Sequence, residues 1–527
     1  MKKGKKFNIT GLCIPEKHYM VDVSAKVDAM KTMVAEGDYF VINRPRQYGK
    51  TTLLSLLRKR LQNHSDFFPI LISFEGISSD SYRNEQQFID AFLLQFQRVF
   101  QFQHREDLLQ CIEERRELHT LTALSNWIAD FVQHLNQPVV LMIDEVDKSS
   151  NHQLFLDFLA MLRTKYLAAA DGSDVTFHCV ILAGVHDVKS LKLKLRSDDE
   201  RKYNSPWNIA VDFTGKIEFG PQEIETMLAE YSAATDVEMD RGQIAEYLYA
   251  YTSGYPFLVS VLCKIIDETI HPDHGWLPEH VDDAANRLLS QSNTNFDHLI
   301  KHLEHHQAFA NLVEQLMLQE ASIPYNQDNP LIHLGGLYGI LTCRNNSVAI
   351  HNRIYRERIY NYLTSKLETG ELIAHSLGQY TVPSQFVTAA DALNYERVLL
   401  KFQEFMKQEY SRRDEKFLER NGRLVFFAFL RPILNGRGFA FKEAQISEEK
   451  RLDVVITFGA RKYVIELKVW GGDEKHQAGL RQLTDYLKRT GHDRGGLVIF
   501  DFTQKGRKTW KQDRIQSDGK DIFAVWV

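Results

Sequence analysis

The sequence Gly49-Lys50-Thr51-Thr52 has the residue types and the order needed to bind phosphate groups. It follows the apolar residues 39–42 and begins a segment with leucines at helical spacing. In a strand–loop–helix unit of this kind, backbone N–H groups and the helix N-terminus face the phosphates of a nucleotide. Lys50 would contact the β- and γ-phosphates, and the Thr51 hydroxyl would bind Mg²⁺. The residues predicted to bind nucleotide are Arg46, Gln47, Tyr48, Gly49, Lys50, Thr51 and Thr52.

One position departs from the usual phosphate-binding pattern. The pattern G-x-x-x-x-G-K-[ST] has glycine where this chain has Arg44. The departure leaves a second interpretation open, in which a helix N-terminus carries Gly-Lys-Thr by chance.

A second stretch, residues 138–145, favours the nucleotide interpretation. It is an apolar run that ends in Asp144 and Glu145, as in a parallel strand buried on both faces. Ligands bind at the carboxyl ends of such strands, so Asp144 would hold Mg²⁺ and Glu145 would act as general base on the attacking water. The alternative is an apolar strand followed by a solvated acidic turn.

A separate set of residues near the C-terminus could hydrolyse a phosphodiester. Two apolar runs, 452–458 and 462–470, flank a glycine-containing turn and predict a β-hairpin. A turn centred on residues 460 and 461 places Asp453 opposite Lys468 and Val455 opposite Glu466, so the two acids and the lysine share one face. Asp453 and Glu466 would hold Mg²⁺ or Mn²⁺, and Lys468 would orient the nucleophile or stabilise the phosphate oxygens.

Three further residues could assist this second site. Glu443 could add a carboxylate to the metal, and Gln482 and Tyr486 share a helix face from which they could contact metal-bound water or a DNA phosphate. The alternative for the whole stretch is a surface hairpin with an Asp453–Lys468 cross-strand ion pair.

The elements that position these residues predict an α/β protein with several domains. Strands that alternate with helices indicate a parallel sheet of the P-loop NTPase type in residues 1–218. Helical patterns predict a lid in 219–292 and a winged-helix-like module in 293–365, and a linker over 366–390. We expect residues 391–527 to form a second α/β domain that carries the hairpin.

Composition limits the class of protein. With 527 residues, 44% hydrophobic and 25% charged, the chain is typical of soluble globular proteins of several domains. Its five cysteines are widely spaced, which indicates a reducing cytoplasm rather than a disulfide or zinc framework. We expect neither a signal peptide nor a membrane helix, because no apolar run approaches about 20 residues. Residues 391–527 carry 27 Lys and Arg against 20 Asp and Glu, which suggests an anionic partner there.

A few isolated residues are weaker candidates. His186, after the apolar run 177–184, could sense the γ-phosphate but is more simply a loop residue. Arg163 and Arg196 are guesses for an arginine finger. We interpret the histidine-rich patches as solvated surfaces rather than metal sites, because no Glu or Cys completes a ligand set. They comprise His271, His274 and His280 in one patch and His302, His305 and His306 in the other.

Together these stretches resemble a bacterial family, the AAA-ATPase-like or archaeal-type ATPases of the STAND group fused to a C-terminal PD-(D/E)xK nuclease domain. The resemblance rests on residues 19–22, 43–51, 143–147, 204–210 and 252–257 and on the Asp453…Glu466-Leu467-Lys468 hairpin. Arg-Pro-Arg before Gly-Lys is usual in this family, so Arg44 fits it. The resemblance implies ATP binding, a lid and winged helix after the ATPase core, and a restriction-endonuclease-like fold at the end of the chain.

Two functions from different classes are compatible with these features. The first is ATP-regulated, Mg²⁺- or Mn²⁺-dependent DNA cleavage, used against foreign or mobile DNA. The second is an ATP-dependent switch or assembly module whose C-terminal domain binds nucleic acid or protein without cutting. ATP and DNA are the expected partners, with nucleotide-dependent self-association as a further possibility and no membrane.

Overall fold

The computed structural model divides the described chain into two compact units. One contains residues 1–295 and 326–342, and the other contains 296–325 and 343–527. Residues predicted as a winged helix are therefore distributed over both units. The described residues are 4–63, 66–113, 118–149, 152–185, 207–213, 215–272, 275–318, 323–368, 385–388, 392–409, 422, 425–430, 433–434, 438–441, 454–458, 461–470, 472–502 and 510–527.

The first unit is built on a five-stranded parallel sheet. Its spatial order is β2–β3–β4–β1–β5, which places the strand before Gly49 at an interior position. All residues of β3 and β4 are buried, as expected for strands covered by helices on both faces. The strands are β1 (Phe40–Asn43), β2 (Phe68–Ser73), β3 (Val139–Asp144), β4 (Cys179–Gly184) and β5 (Val211–Asp212).

Helices cover this sheet and bury a core rich in phenylalanine. Phe88, Phe92 and Phe96 recur at helical spacing on α3 and are fully buried. Side-chain caps fix where helices begin, as Asn84 does by accepting a hydrogen bond from the Gln87 N–H. The helices up to the end of the sheet are α1 (Ser24–Glu36), α2 (Lys50–Gln62), α3 (Glu85–Phe102), α4 (Glu106–Glu113), α5 (Leu121–Leu135) and α6 (Gln153–Ala170).

A helical segment follows the sheet, as the sequence predicts. Helix α8 ends in two left-handed residues, Ser253 and Gly254, and Pro256 starts the next helix, which is the predicted stop and restart. The N-terminal segment packs on this region, because Phe7 and Tyr19 cluster with Tyr231. These helices are α7 (Pro221–Thr235), α8 (Arg241–Thr252), α9 (Pro256–Ile265) and α10 (Pro278–Ser290), with a π-helical turn at Ile266–Ile270.

The predicted winged-helix region contains four helices and a small hairpin. Asn345 and Asn346 both have positive φ, which suits the two-residue turn between the hairpin strands. The elements are α11 (Thr294–His305), α12 (Gln307–Leu318), α13 (Pro330–Leu337), β6 (Leu341–Arg344), β7 (Ser347–Ile350) and α14 (Arg353–Glu368).

The C-terminal part of the second unit contains a six-stranded mixed sheet in the order β12–β13–β11–β10–β9–β8. Strands β10, β11 and β13 are parallel neighbours, and the outer pairings are antiparallel. The elements are α15 (Tyr395–Glu409), β8 (Gly438–Phe441), β9 (Val454–Phe458), β10 (Arg461–Val469), α16 (Asp473–Arg489), β11 (Arg494–Phe500), β12 (Gln512–Ser517) and β13 (Lys520–Trp526).

Helices α15 and α16 cover opposite faces of this sheet. A Cβ atom on Gly495 would meet Leu483 and Leu487 of α16, whereas one on Gly496 would meet Leu399 of α15. Successive strand residues point to opposite faces, so the two helices sandwich the sheet. This unit is therefore also α/β.

Among the described residues, no helix has both the length and the apolar composition required to cross a membrane.

Candidate functional site

The loop between β1 and α2 contains two residues in the left-handed backbone conformation. Gly49 has φ 80° and directly precedes Lys50, the first residue of α2. Glycine adopts this left-handed conformation without the Cβ penalty of other residues, which explains its place at the helix entry. Gln47 also has positive φ (60°), so the loop turns twice before the helix begins.

The Lys50 ammonium lies inside the loop. Its side chain is buried, and Nζ donates hydrogen bonds of 3.0 Å to the carbonyl oxygens of Arg44 and Pro45. Burial lowers the pKa of Lys50, and the nearby carboxylates of Glu145 and Asp144 oppose that shift. From this position the Lys50 ammonium could donate its hydrogen bonds to phosphate oxygens instead of the loop carbonyl oxygens.

Thr51 and Asp144 bring two oxygen ligands together. The Thr51 hydroxyl donates a 2.6 Å hydrogen bond to Asp144 Oδ2, which links the first turn of α2 to the end of β3. Burial raises the pKa of Asp144, and the hydrogen bond from Thr51 opposes the shift. A hydroxyl beside a carboxylate is a donor set suited to Mg²⁺, which prefers oxygen ligands.

Glu145 directly follows β3 and is half-buried. It has φ 57°, and its N–H donates a 3.0 Å hydrogen bond to Asp144 Oδ1. Burial raises the pKa of Glu145, the charge of Asp147 adds to the rise, and Lys50 opposes it. A carboxylate with a raised pKa next to a candidate metal ligand is suited to accept a proton from water.

Arg44 anchors the loop, which explains the departure from glycine. Its Nη2 donates hydrogen bonds to the carbonyl oxygens of Gly215 (3.2 Å) and Phe213 (3.4 Å), just after β5. Arg44 is not among the described residues with positive φ, so no glycine is required there.

Other residues predicted to bind nucleotide contact segments distant in sequence. The Tyr48 ring is buried and packs edge-on against Tyr255, at 4.3 Å between ring centroids. The Tyr255 hydroxyl in turn donates a 2.7 Å hydrogen bond to the Arg46 carbonyl oxygen. Gln47 Oε1 accepts a 3.0 Å hydrogen bond from Asn295 Nδ2. Thr52 Oγ1 accepts a hydrogen bond from the backbone N–H of Cys13.

Gly339, after α13, contacts this loop as well. It has φ 67°, and a Cβ atom there would lie 2.7 Å from Cγ of Pro45. Both the backbone conformation and the space therefore require glycine.

Asp147 is a residue of this site that the sequence did not assign. Its Oδ1 accepts a 3.1 Å hydrogen bond from the Val185 N–H at the end of β4. It also raises the pKa of Glu145. The signal that could have found it was a third acid within four residues of the β3 terminus.

The structure does not test the three weaker candidates. Arg163 lies on α6, and His186 and Arg196 lie outside the described residues.

The C-terminal hairpin forms, but the predicted pairing is wrong by two positions. Val455 pairs with Val464, not with Glu466, and Phe458 pairs with Arg461. Two residues connect the strands, as in the predicted turn, but the connection is centred one residue earlier than predicted. A shift of two residues leaves each described side chain on its predicted face, because side chains alternate with period two.

Glu466 and Lys468 lie together on β10. Lys468 Nζ is 2.8 Å from Glu466 Oε1, and Glu466 is fully buried while Lys468 is 28% exposed. A Cβ on Gly479 would lie 3.3 Å from Lys468 Cε, so the pair is on the α16 face. Asp453 and Glu443, the other predicted metal ligands, lie outside the described residues.

The two accessory residues are on α16. Tyr486 is buried in an apolar cluster with Val464 and Leu497, and Gln482 is half-buried. Their predicted role towards metal-bound water or a DNA phosphate stays a prediction.

Some of the histidines have structural contacts. His280 Nδ1 accepts a hydrogen bond from the Leu277 N–H at the start of α10, and His271 ends the π-helical turn. His302 and His305 lie on α11, His306 follows it, and His274 is outside the described residues. Within the described part of the chain, no group of three or more His, Cys, Asp or Glu side chains could hold a metal ion.

A sequence model of one protein family matches this chain. The family is described as "AAA-like domain", and the match covers residues 14–361. No curated protein matches the chain.

Solved structures with similar folds include the following three. A Walker-type ATPase of Pyrococcus abyssi is 13% identical with a TM-score of 0.45, over 67% of this chain and 99% of that one. The ORC2 protein of Aeropyrum pernix, in ADPNP and ADP complexes, is 13% identical with a TM-score of 0.38, over 69% and 98%. The RuvB Holliday junction branch migration motor of Thermotoga maritima is 14% identical with a TM-score of 0.32, over 65% and 93%.

Proposed function

Because the chain belongs to the AAA-like domain family, we propose that it binds ATP with Mg²⁺ at the loop before α2 and hydrolyses the nucleotide. The observation that carries this proposal is the 2.6 Å Thr51–Asp144 hydrogen bond beside the buried Lys50 ammonium. These groups fit the ligand, because a cation, a hydroxyl and a carboxylate converge where the helix N-terminus favours anions. Mg²⁺, when bound, supplies charge neutralisation at phosphate oxygens.

Each residue of the site has a separate task in this proposal. Lys50 exchanges the Arg44 and Pro45 carbonyls for phosphate oxygens. Thr51 and Asp144 supply the protein's oxygen ligands. Glu145 orients the attacking water and accepts its proton, for which a carboxylate with a raised pKa is suited.

The second part of the proposal is that residues 391–527 form a PD-(D/E)xK-type nuclease that cuts DNA under the control of ATP. The support is the buried Glu466 beside Lys468 on β10, in a segment with an excess of basic residues. Glu466, with Asp453 and Glu443, would hold Mg²⁺ or Mn²⁺. Lys468 would neutralise charge on the scissile phosphate. Nucleotide binding would order the lid and winged helix, and the role would be defence against foreign or mobile DNA.

The same ion pair supports an alternative from another class. Lys468 already neutralises Glu466 at 2.8 Å, so the pair also suits a purely structural core. In that case the protein is an ATP-dependent switch or assembly module whose C-terminal domain binds DNA or protein without cutting.

One experiment separates these functions. Purified full-length protein is incubated with plasmid DNA and Mg²⁺ or Mn²⁺, with and without ATP, while phosphate release is measured in parallel. We expect ATP hydrolysis, and metal-dependent cleavage that is lost in Glu466→Gln but leaves hydrolysis intact. Hydrolysis without cleavage by wild type would support the alternative. Absence of hydrolysis under every condition would overturn the ATPase assignment.

A further inference from the structure

The C-terminal sheet carries an aromatic and cationic cluster at its carboxyl edge. Strands β10, β11 and β13 run parallel, and their carboxyl ends lie side by side, as the 2.8 Å hydrogen bond from the Trp470 N–H to the Phe500 carbonyl shows. Beyond the strand ends lie aromatic rings and an exposed lysine. We call Trp470, His476, Lys511 and Trp526 the edge cluster.

The rings of the edge cluster are close enough to form one surface. His476, in the first turn of α16, lies between the two tryptophans, with ring centroids 5.4 Å from Trp470 and 5.9 Å from Trp526. Lys511 Nζ lies 4.7 Å from the centroid of the Trp526 ring. Trp526 is buried and supports the others, whereas Trp470 and His476 are half-buried and Lys511 is exposed.

The edge cluster is on the same face as the Glu466–Lys468 pair. Trp470 and Trp526 both pack with the apolar cluster under α16, the helix whose Gly479 approaches Lys468. Lys468 and Trp470 are two residues apart, which is about 7 Å along an extended chain. A single nucleotide can therefore stack on Trp470 and present its phosphate towards Lys468.

The lysine of the edge cluster is held by a weak ion pair that an anionic ligand can displace. Lys511 is paired with Asp513 at 2.9 Å, but both side chains are about half exposed, so the pair is easily exchanged for a phosphate. Aromatic rings alternating with cations are the combination that binds unpaired bases and their backbone.

We propose that the edge cluster binds single-stranded DNA by stacking an unpaired base on Trp470 and His476, next to the Glu466–Lys468 pair. The inference rests on the proposed nuclease for any cleavage of the bound strand, but strand binding itself is a separate property. Bases in a duplex are already stacked on one another, so the cluster selects unpaired bases over blunt duplex.

The test measures binding by the full-length protein with EDTA present, so that no metal-dependent cleavage occurs. The probes are a fluorescent oligo(dT) and a blunt duplex with the same number of phosphates, at one salt concentration. We expect oligo(dT) to bind at least tenfold more tightly. Trp470→Ala should weaken oligo(dT) binding about five- to hundredfold, and Trp470→Phe should retain most of it.

Val469→Ala is the matched control. Val469 is 47% exposed but points to the opposite face of the same strand, so its loss should leave affinity unchanged. If Trp470→Ala fails to fold, a second measurement reports the same stacking. The quenching of tryptophan fluorescence by oligo(dT) is measured in wild type and in Trp470→Phe, and the two are compared. A difference in quenching supports the proposal, and equal quenching contradicts it.

The outcomes distinguish this proposal from the nuclease. If oligo(dT) binds selectively and this depends on Trp470, but no cleavage occurs when metal is added, the strand-binding proposal is supported and the nuclease proposal is contradicted. Equal affinity for both probes, or no loss in Trp470→Ala, overturns the edge cluster even if wild type cuts DNA.

Discussion

Thr51 and Asp144 are 93 positions apart in the chain, yet their side-chain oxygens are 2.6 Å apart. The contact crosses the end of β4, which lies between β3 and β1 in the sheet. Mg²⁺ ligands lie about 2.0–2.1 Å from the ion, so both oxygens can bind one cation after small movements. The fold thus brings two candidate metal ligands together from distant segments.

Lys50→Ala should abolish ATP binding. The substitution removes the ammonium that the loop carbonyls hold at the entry of α2, and with it charge neutralisation at the phosphates. Calorimetric titration with ATP and Mg²⁺ measures the loss, which we expect to exceed about tenfold in affinity. Lys59→Ala, at the exposed end of α2, is the control and should bind normally. Unchanged affinity in the Lys50 variant would refute the site.

Glu145→Gln should bind ATP but hydrolyse it about 10²- to 10⁴-fold more slowly, because a general base contributes on that order. Asp144 and Thr51 remain to hold the metal. Steady-state phosphate release and nucleotide binding are measured together, with Glu106→Gln on the exposed face of α4 as the control. If binding disappears instead, Glu145 is a ligand or structural residue.

Asp144→Asn should raise the melting temperature of the nucleotide-free protein at neutral pH. Burial raises the pKa of Asp144 above its ordinary value of 3.8, so the folded state binds this proton more tightly than the unfolded chain does. The stability that the protonated Asp144 carboxyl contributes is therefore fully present below pH 3.8 and is lost as pH rises through the folded-state pKa. Asparagine cannot ionise, so the gain in melting temperature of the variant over wild type should shrink as the medium is acidified.

Thermal unfolding at several pH values checks this, with exposed Asp90→Asn as the control that should show no such trend. A gain of equal size at every pH would show that ionisation of Asp144 is not its cause.

Gly339→Ala should destabilise the first unit by about 1–3 kcal/mol, the usual cost of a strained backbone, and weaken ATP binding. The added methyl group would meet Pro45 at 2.7 Å. Gly336→Ala is a close control, because Gly336 lies in α13 with nothing within 4 Å of the added atom. Denaturant unfolding and ATP titration measure the free energy of unfolding and the ATP affinity of both variants. Equal losses in the two would show that the contact with Pro45 does not cause them.

Lys468→Ala should lower the free energy of unfolding by about 3–5 kcal/mol, because it removes the lysine that lies 2.8 Å from the buried Glu466 carboxylate. Lys488→Ala removes an exposed ion pair with Asp518 and should cost about 1 kcal/mol or less. If the nuclease proposal holds, the Lys468 variant also cuts more slowly while still binding Mn²⁺. Equal stability losses in the two lysine variants would show that burial of Glu466 does not matter.

Local patterns predicted the elements better than the contacts between them. The apolar run 139–143 and the leucines after Lys50 reported buried faces, so β3 and α2 appear where the sequence indicated. The role of Arg44 depends on carbonyls of residues 213 and 215, which local pattern does not specify. The hairpin register was wrong because the sequence admits two two-residue connections, 459–460 and 460–461, and the local pattern does not choose between them.

Three residues distant in sequence contact the backbone or side chains of residues 45–48. They are Tyr255, Asn295 and Gly339. Residues 45–48 therefore connect the proposed nucleotide site to α9 and α13. Because linkage is reciprocal, a partner that bound α9 or α13 only while these contacts are intact would change the affinity of the proposed site for nucleotide, and nucleotide would change the partner's affinity by the same factor.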